Sequence, residues 1–128
     1  MKKLNLFLAL IFISSSVYAE RIKIWKSDTS EHFIKSDTVK YKGKLVTFWL
    51  LTNNYLSDES GHLSYKQKIE IDCSYDQLRM LAQIGYQQTM GSGISTRFSK
   101  TYEEWVEITP KSLGGELYKF LCTKKSPQ

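Results

Sequence analysis

Residues that carry most enzyme and metal chemistry are scarce in this sequence: two histidines, two cysteines and two prolines among 128 residues. Cys73 and Cys122 lie far apart, so the chain has no C-x-x-C redox pair and no C-x-x-C-H haem attachment motif. Neither His32 nor His62 has a second ligand-type residue at metal spacing, which leaves no metal site legible in the sequence. Gly91-Ser92-Gly93 has its glycines at the wrong spacing for a nucleophile elbow, and no glycine-rich phosphate loop precedes a helix. The neighbouring carboxylates Asp58-Glu59 and Glu103-Glu104 alternate in direction on an extended chain and read as solvated. No catalytic residue is predicted, and the chain reads as a non-enzyme.

Long apolar runs are equally scarce. The one that stands out, Leu4 to Ile13, follows Lys2 and Lys3 and leads into Ser14-Ser15-Ser16-Val17-Tyr18-Ala19. It is about half of the ~20 residues that a membrane span needs, and its basic start and small-residue end are those of a secretory signal peptide over residues 1–19. Positions 14 to 20 hold no cysteine, so a lipoprotein anchor is not predicted. The expected product is periplasmic, secreted or at the cell surface: one domain over residues 20–128. Removing Lys2 and Lys3 leaves 16 basic against 13 acidic residues, too even a balance to point to nucleic acid. Fourteen aromatic residues remain after position 19, enough for a packed core and against a disordered chain.

Export places the two cysteines in an oxidising space, where a Cys73–Cys122 disulfide is the expected outcome. Ile22 to Trp25 and His32 to Lys35 read as short strands, and Ser36-Asp37-Thr38 reads as a polar turn or a single helical turn. Lys42-Gly43-Lys44 reads as a hairpin turn. Lys44 to Thr52 is apolar on both faces and should be central. After the polar stretch Asn53 to His62, Leu63 to Cys73 alternates between apolar and polar residues, and Leu78 to Tyr86 does so again, with Met80, Ala82 and Ile84 facing inward.

A four-residue turn, Ser74 to Gln77, would set Cys73 opposite Leu78, Ile71 opposite Met80, Ile69 opposite Ala82 and Asp72 opposite Arg79. Gln87 to Thr101 reads as a loop or irregular edge, and Trp105 to Ile108 as a last strand before Pro110. Leu113, Leu117, Phe120 and Leu121 form the stripe of an amphipathic helix with Ser112 as its N-cap, although Gly114 and Gly115 weaken it by roughly 1 kcal/mol each. The fold class is therefore α+β: an antiparallel sheet of about five to six strands, with a C-terminal helix packed on one face and tied by the disulfide.

Trp25, Trp49 and Trp105 are predicted to be core, Trp49 most firmly, and His62 to be a solvated loop residue. Tyr65, Tyr86 and Tyr118 are placed at the junction of helix and sheet. Lys66, Lys68, Arg79 and Gln83 should share one polar face with Glu70 and Asp72, and Lys66, Lys68 and Arg79 are the candidate binding residues for a polyanion or an acidic glycoprotein.

Four segments together resemble a known family: Val46-Thr47-Phe48-Trp49-Leu50-Leu51-Thr52, Ser64-Tyr65-Lys66 leading to Ile69-Glu70-Ile71-Asp72-Cys73, Trp105-Val106-Glu107-Ile108-Thr109-Pro110-Lys111-Ser112, and Leu117 to Cys122. With the signal peptide ahead of them, they resemble the surface-adhesin protein E family of small exported bacterial proteins. That resemblance implies an antiparallel sheet with the helix on its concave side, and adhesion to host extracellular-matrix or serum glycoproteins. The alternative it leaves open is a periplasmic small-ligand carrier, with haem as the candidate ligand and His32, His62 or tyrosines as its ligands. A homodimer through an exposed edge strand is the expected assembly.

Overall fold

The computed structural model describes residues 20–98 and 104–123. The signal peptide read over residues 1–19 lies outside the described residues, as does the end of the loop read over Gln87 to Thr101. Among the described residues eight strands form one antiparallel sheet: β1 (Arg21–Lys26), β2 (Ser30–Lys35), β3 (Lys40–Lys42), β4 (Leu45–Asn54), β5 (Ser64–Asp72), β6 (Gln77–Tyr86), β7 (Ser95–Phe98) and β8 (Val106–Glu107). A single-turn 3-10 helix at Ser36–Thr38 precedes β3, and the helix α1 (Leu113–Cys122) follows β8. The path across the sheet is β1-β2-β4-β5-β6-β7, with β3 beside the start of β4 and β8 beside the start of β6. Two strands, β3 and β7, go beyond the six read from the sequence; both are short and polar, so no apolar alternation betrays them.

Period-2 alternation sorts β4 into two faces. Val46, Phe48 and Leu50 are buried with Ile34 of β2, Ile69 and Ile71 of β5, and Leu117 and Leu121 of α1. Each of these side chains adds roughly 1.5–3 kcal/mol by leaving water, which is why the helix lies on this face. Ser112 caps it, its Oγ accepting from the Gly115 N–H at 3.1 Å. Cys73 and Cys122 are joined, with Cα atoms 5.6 Å apart, and bind the end of α1 to the turn after β5. Tyr41 adds a second tie by donating its hydroxyl to the Leu121 carbonyl at 2.8 Å.

The β5–β6 register differs from the sequence-based expectation by two residues: Asp72 pairs with Gln77, Ile71 with Leu78, Glu70 with Arg79 and Ile69 with Met80. The turn is Cys73 to Asp76, made tight by Asp76 in a left-handed conformation, φ 52°. A two-residue shift keeps each side chain on its face, so the inward setting of Cys73 survives it.

A second departure has larger consequences. A bulge after Met80 leaves Leu81 unpaired and sets Ala82 opposite Lys68 and Ile84 opposite Lys66. Beyond it Ala82, Ile84 and Tyr86 point away from the helix, while Gln83 joins the helix side and accepts from Gln67 Nε2 at 2.7 Å. Gln83 therefore does not share the face of Lys66 and Lys68. The run Met80-Leu81-Ala82 is apolar throughout, so it conceals the change of phase.

The tryptophans depart from expectation as well. Trp25, Trp49 and Trp105 are all half-buried and none belongs to the buried core. Trp49 falls on the odd-numbered face of β4, opposite the helix, and the small core beneath α1 is filled by aliphatic side chains and Phe48. Of the three tyrosines placed at the helix junction, Tyr118 packs there, but Tyr86 lies on the other face and Tyr65 beside His62.

Candidate binding surface

The face of the sheet turned away from α1 is built by the same alternation. Arg21 pairs with Lys35, Phe33 with Leu51, Leu51 with Lys66, Trp49 with Lys68, and Lys66 with Ile84. One step beyond the last β2–β4 pair, Ile34 with Leu50, Lys35 comes beside Trp49. Reading across adjacent strands thus gives the row Arg21, Lys35, Trp49, Lys68, with Lys66 one period along β5. Lys66 lies over the Tyr86 ring, 5.3 Å from its centroid.

Two walls bound this face. At one end the segment 88–91 folds over it: Ser64, fully buried, donates to the Gln88 carbonyl at 2.6 Å and accepts from Gly91 N–H at 2.8 Å, while Asn53 Oδ1 accepts from Met90 N–H at 2.9 Å. Gly91 sits so close that a Cβ there would meet Lys66 Cε at 2.7 Å, and its φ of 72° suits glycine alone. Along the side, Asp37, Thr38 and Lys40 stand over β4 and, with Thr47, Phe48, Trp49 and Lys68, enclose a cavity of about 190 Å³.

Its electrostatics follow from which cations are neutralised. Arg79 is held by Glu70, with Nε at 2.8 Å and a terminal nitrogen at 2.7 Å from the same carboxylate oxygen, and its guanidinium lies 4.4 Å from the Trp105 ring centroid. Lys23 pairs with Glu31 at 3.1 Å. Arg21, Lys35, Lys66 and Lys68 form no ion pair among the described residues. Burial, then the charges of Lys35 and Arg21, hold the Lys66 ammonium below the usual lysine range. Of the three candidate binding residues, then, Lys66 and Lys68 are together and available, and Arg79 is engaged. Sequence reasoning missed Arg21, Lys35 and Trp49, which only the pairing of β1, β2 and β4 with β5 brings to the same face.

Both histidines occupy structural positions. His32 Nδ1 lies 2.8 Å from Thr52 Oγ1 and its Nε2 lies 3.0 Å from Ser30 Oγ, and burial pushes its imidazole pKa down. His62, expected in solvent, is 4% exposed: its ring rests on Gly85, where a Cβ would come within 2.9 Å, and its Nδ1 lies 3.3 Å from Tyr65 Oη. Asp58 orders this corner by accepting from Tyr65 Oη and from the N–H groups of Ser60 and His62. Those contacts hold its carboxyl below the usual range, the tyrosine bond most of all, while burial and Asp58 push Tyr65 up to about 12. A haem ligand needs a ring nitrogen aimed into an open slot. His32 has both nitrogens in hydrogen bonds and His62 is packed on backbone, so these residues do not fit the group. No three His, Cys, Asp or Glu side chains among the described residues are grouped to hold a metal ion.

Residues 21–123 match the family model for surface-adhesin protein E. The chain belongs to the surface-adhesin protein E family. Solved structures agree with that fold. A crystal form II structure of Haemophilus influenzae protein E superposes with a TM-score of 0.66 at 17% identity, covering 85% of this chain and 91% of that one. A structure of protein E from non-typeable Haemophilus influenzae gives a TM-score of 0.61 at 17% identity, covering 85% and 79%. No curated protein matches. Within this fold the disulfide-tied helix covers one face of the sheet.

Proposed function

We propose that the chain is an exported, non-enzymatic surface adhesin that binds host extracellular-matrix or serum glycoproteins through the helix-free face of the sheet. The observation that carries this reading is the row Arg21, Lys35, Trp49, Lys68 with Lys66 beside it: four cations that form no ion pair among the described residues, around a half-exposed indole. Surface lysines are ordinarily solvated singly or paired with acids. Clustered lysines repel one another, and an acidic partner relieves that repulsion while it speeds encounter. Residues 1–19 supply the export signal in this reading, and a second copy would pair through β1, which ends the path of the sheet. The test is capture of the exported, purified protein on immobilised matrix and serum glycoproteins. Lys66→Ala with Lys68→Ala should weaken capture at least tenfold and flatten its salt dependence. Unchanged capture would remove this face as the binding surface.

A further inference from the structure

We infer that the helix-free face is a site for a sulfated glycan chain, with Trp49 as the platform for one sugar ring and Lys35, Lys66, Lys68 and Arg21 as the sulfate contacts. The inference rests on the adhesive face proposed above and names the part of the partner that it reads.

The geometry suits a sugar chain better than an acidic polypeptide. Lys35 and Lys68 flank Trp49 from the two neighbouring strands, so their backbones stand about 10 Å apart, and Lys66 lies roughly 7 Å along β5 from Lys68. Charges at that pitch match a chain with an anionic group on every sugar or two. The cavity of about 190 Å³ at Trp49 adds what an acidic peptide has no use for: the Thr47 hydroxyl, the Asp37 carboxylate and the Lys40 ammonium beside an aromatic ring, with the Thr38 hydroxyl held in place by the Lys35 carbonyl and the Trp49 N–H. Sugar hydroxyls need donors and acceptors together, and the C–H face of a pyranose needs an aromatic surface. An extended peptide, by contrast, gains most of its affinity by adding to a sheet edge through its backbone. The face of a sheet offers it side chains alone. Of the acids on this face, Glu70 and Glu31 are taken up by Arg79 and Lys23 and Asp72 accepts from the Ser74 N–H, which leaves the Asp37 carboxylate at the cavity to accept from sugar hydroxyls.

The test compares a heparin oligosaccharide, the same oligosaccharide chemically desulfated, and a poly-aspartate peptide, each titrated into the purified protein across a range of salt. The sulfated chain should bind at least tenfold more tightly than either control. Lys35→Ala with Lys66→Ala should weaken it at least tenfold and lower the slope of log affinity against log salt by about two, as for other polyanions. Trp49→Leu should weaken it several-fold with the slope unchanged. Should Trp49→Leu fail to fold, a lysine acetylation footprint of the unaltered protein decides: the oligosaccharide should shield Lys35, Lys66 and Lys68 and leave the exposed Lys111 and Lys119 reactive. Equal binding of poly-aspartate, or a footprint without shielding of the three lysines, overturns the inference. Glycoprotein capture that survives enzymatic removal of sulfated glycans, yet falls on loss of Lys66 and Lys68, keeps the adhesive face and overturns the glycan assignment. Oligosaccharide binding without glycoprotein capture supports the glycan site and overturns the host-glycoprotein reading.

Discussion

Replacing Gly115 with alanine sets two effects of similar size against each other. Alanine is the better helix former by about 1 kcal/mol, so a reading of propensity alone predicts a more stable protein. In the structure a Cβ at Gly115 would lie 2.7 Å from the Thr109 carbonyl oxygen and 3.3 Å from Pro110 Cα. Neither neighbour can turn away as a side chain could. The Thr109 carbonyl accepts from Ser112 Oγ at 2.6 Å, and Ser112 Oγ in turn accepts from the Gly115 N–H at 3.1 Å, so moving the carbonyl also disturbs the helix cap. Overpacking against fixed atoms costs about 1–3 kcal/mol and a damaged cap about 1 kcal/mol, which together outweigh the propensity gain. Gly115→Ala should therefore destabilise by about 1–3 kcal/mol, lowering Tm by roughly 4–8 °C per kcal/mol in a domain of this size. Gly114→Ala is the control. Its Cβ would meet a terminal methyl of Leu78 at 3.1 Å, which can give way, so this variant should be neutral or slightly stabilising. Thermal melts of the two variants decide, and a Gly115→Ala protein as stable as the unsubstituted chain would refute the reasoning.

Three further predictions concern stability. Serine at both Cys73 and Cys122 opens a loop of sequence separation 49 and should cost about 4 kcal/mol, measured by urea unfolding; a loss below ~1 kcal/mol would contradict the role given to the bond. Ser64→Ala removes the hydroxyl that serves both Gln88 and Gly91 inside a fully buried site, and should cost about 2 kcal/mol while raising amide exchange at Gly91; unchanged exchange would separate the loop from this contact. Because burial lowers the His32 pKa from 6.5, the unfolded chain takes up the proton first, so stability is fully present above that value and falls as the pH drops below it. His32→Gln should flatten this part of the pH profile, and an unaltered profile would assign the acid sensitivity elsewhere.

The fold was legible where periodicity and covalent chemistry agreed. The alternation from Leu63 to Cys73 and the stripe from Leu113 to Leu121 identify a half-buried strand and a helix, and the disulfide joins them. Gly114 and Gly115 looked like a defect of that helix, and the close approach of the Thr109–Pro110 turn explains the second of them. The register was not legible, because a two-residue shift changes no face and so leaves no mark on the pattern. The bulge at Leu81 was hidden for the opposite reason: it changes every later face, but within an apolar run. Two of the four cations of the candidate surface could be read, since Lys66 and Lys68 sit two apart on one strand. Lys35 and Arg21 join them only through long-range pairing. Trp49 was assigned to the core from its size, and its place beside Lys68 emerges from the odd-even phase of β4.

Adhesion by whole cells tests the central claim most directly, because it requires both export and the helix-free face. Cells producing the protein should bind immobilised matrix glycoproteins, cells producing the Lys66→Ala, Lys68→Ala variant should lose at least nine-tenths of that binding, and cells producing Arg79→Ala should keep most of it, since Arg79 is already committed to Glu70 and Trp105. Equal adhesion by all three, at equal surface amounts of protein, would contradict the account.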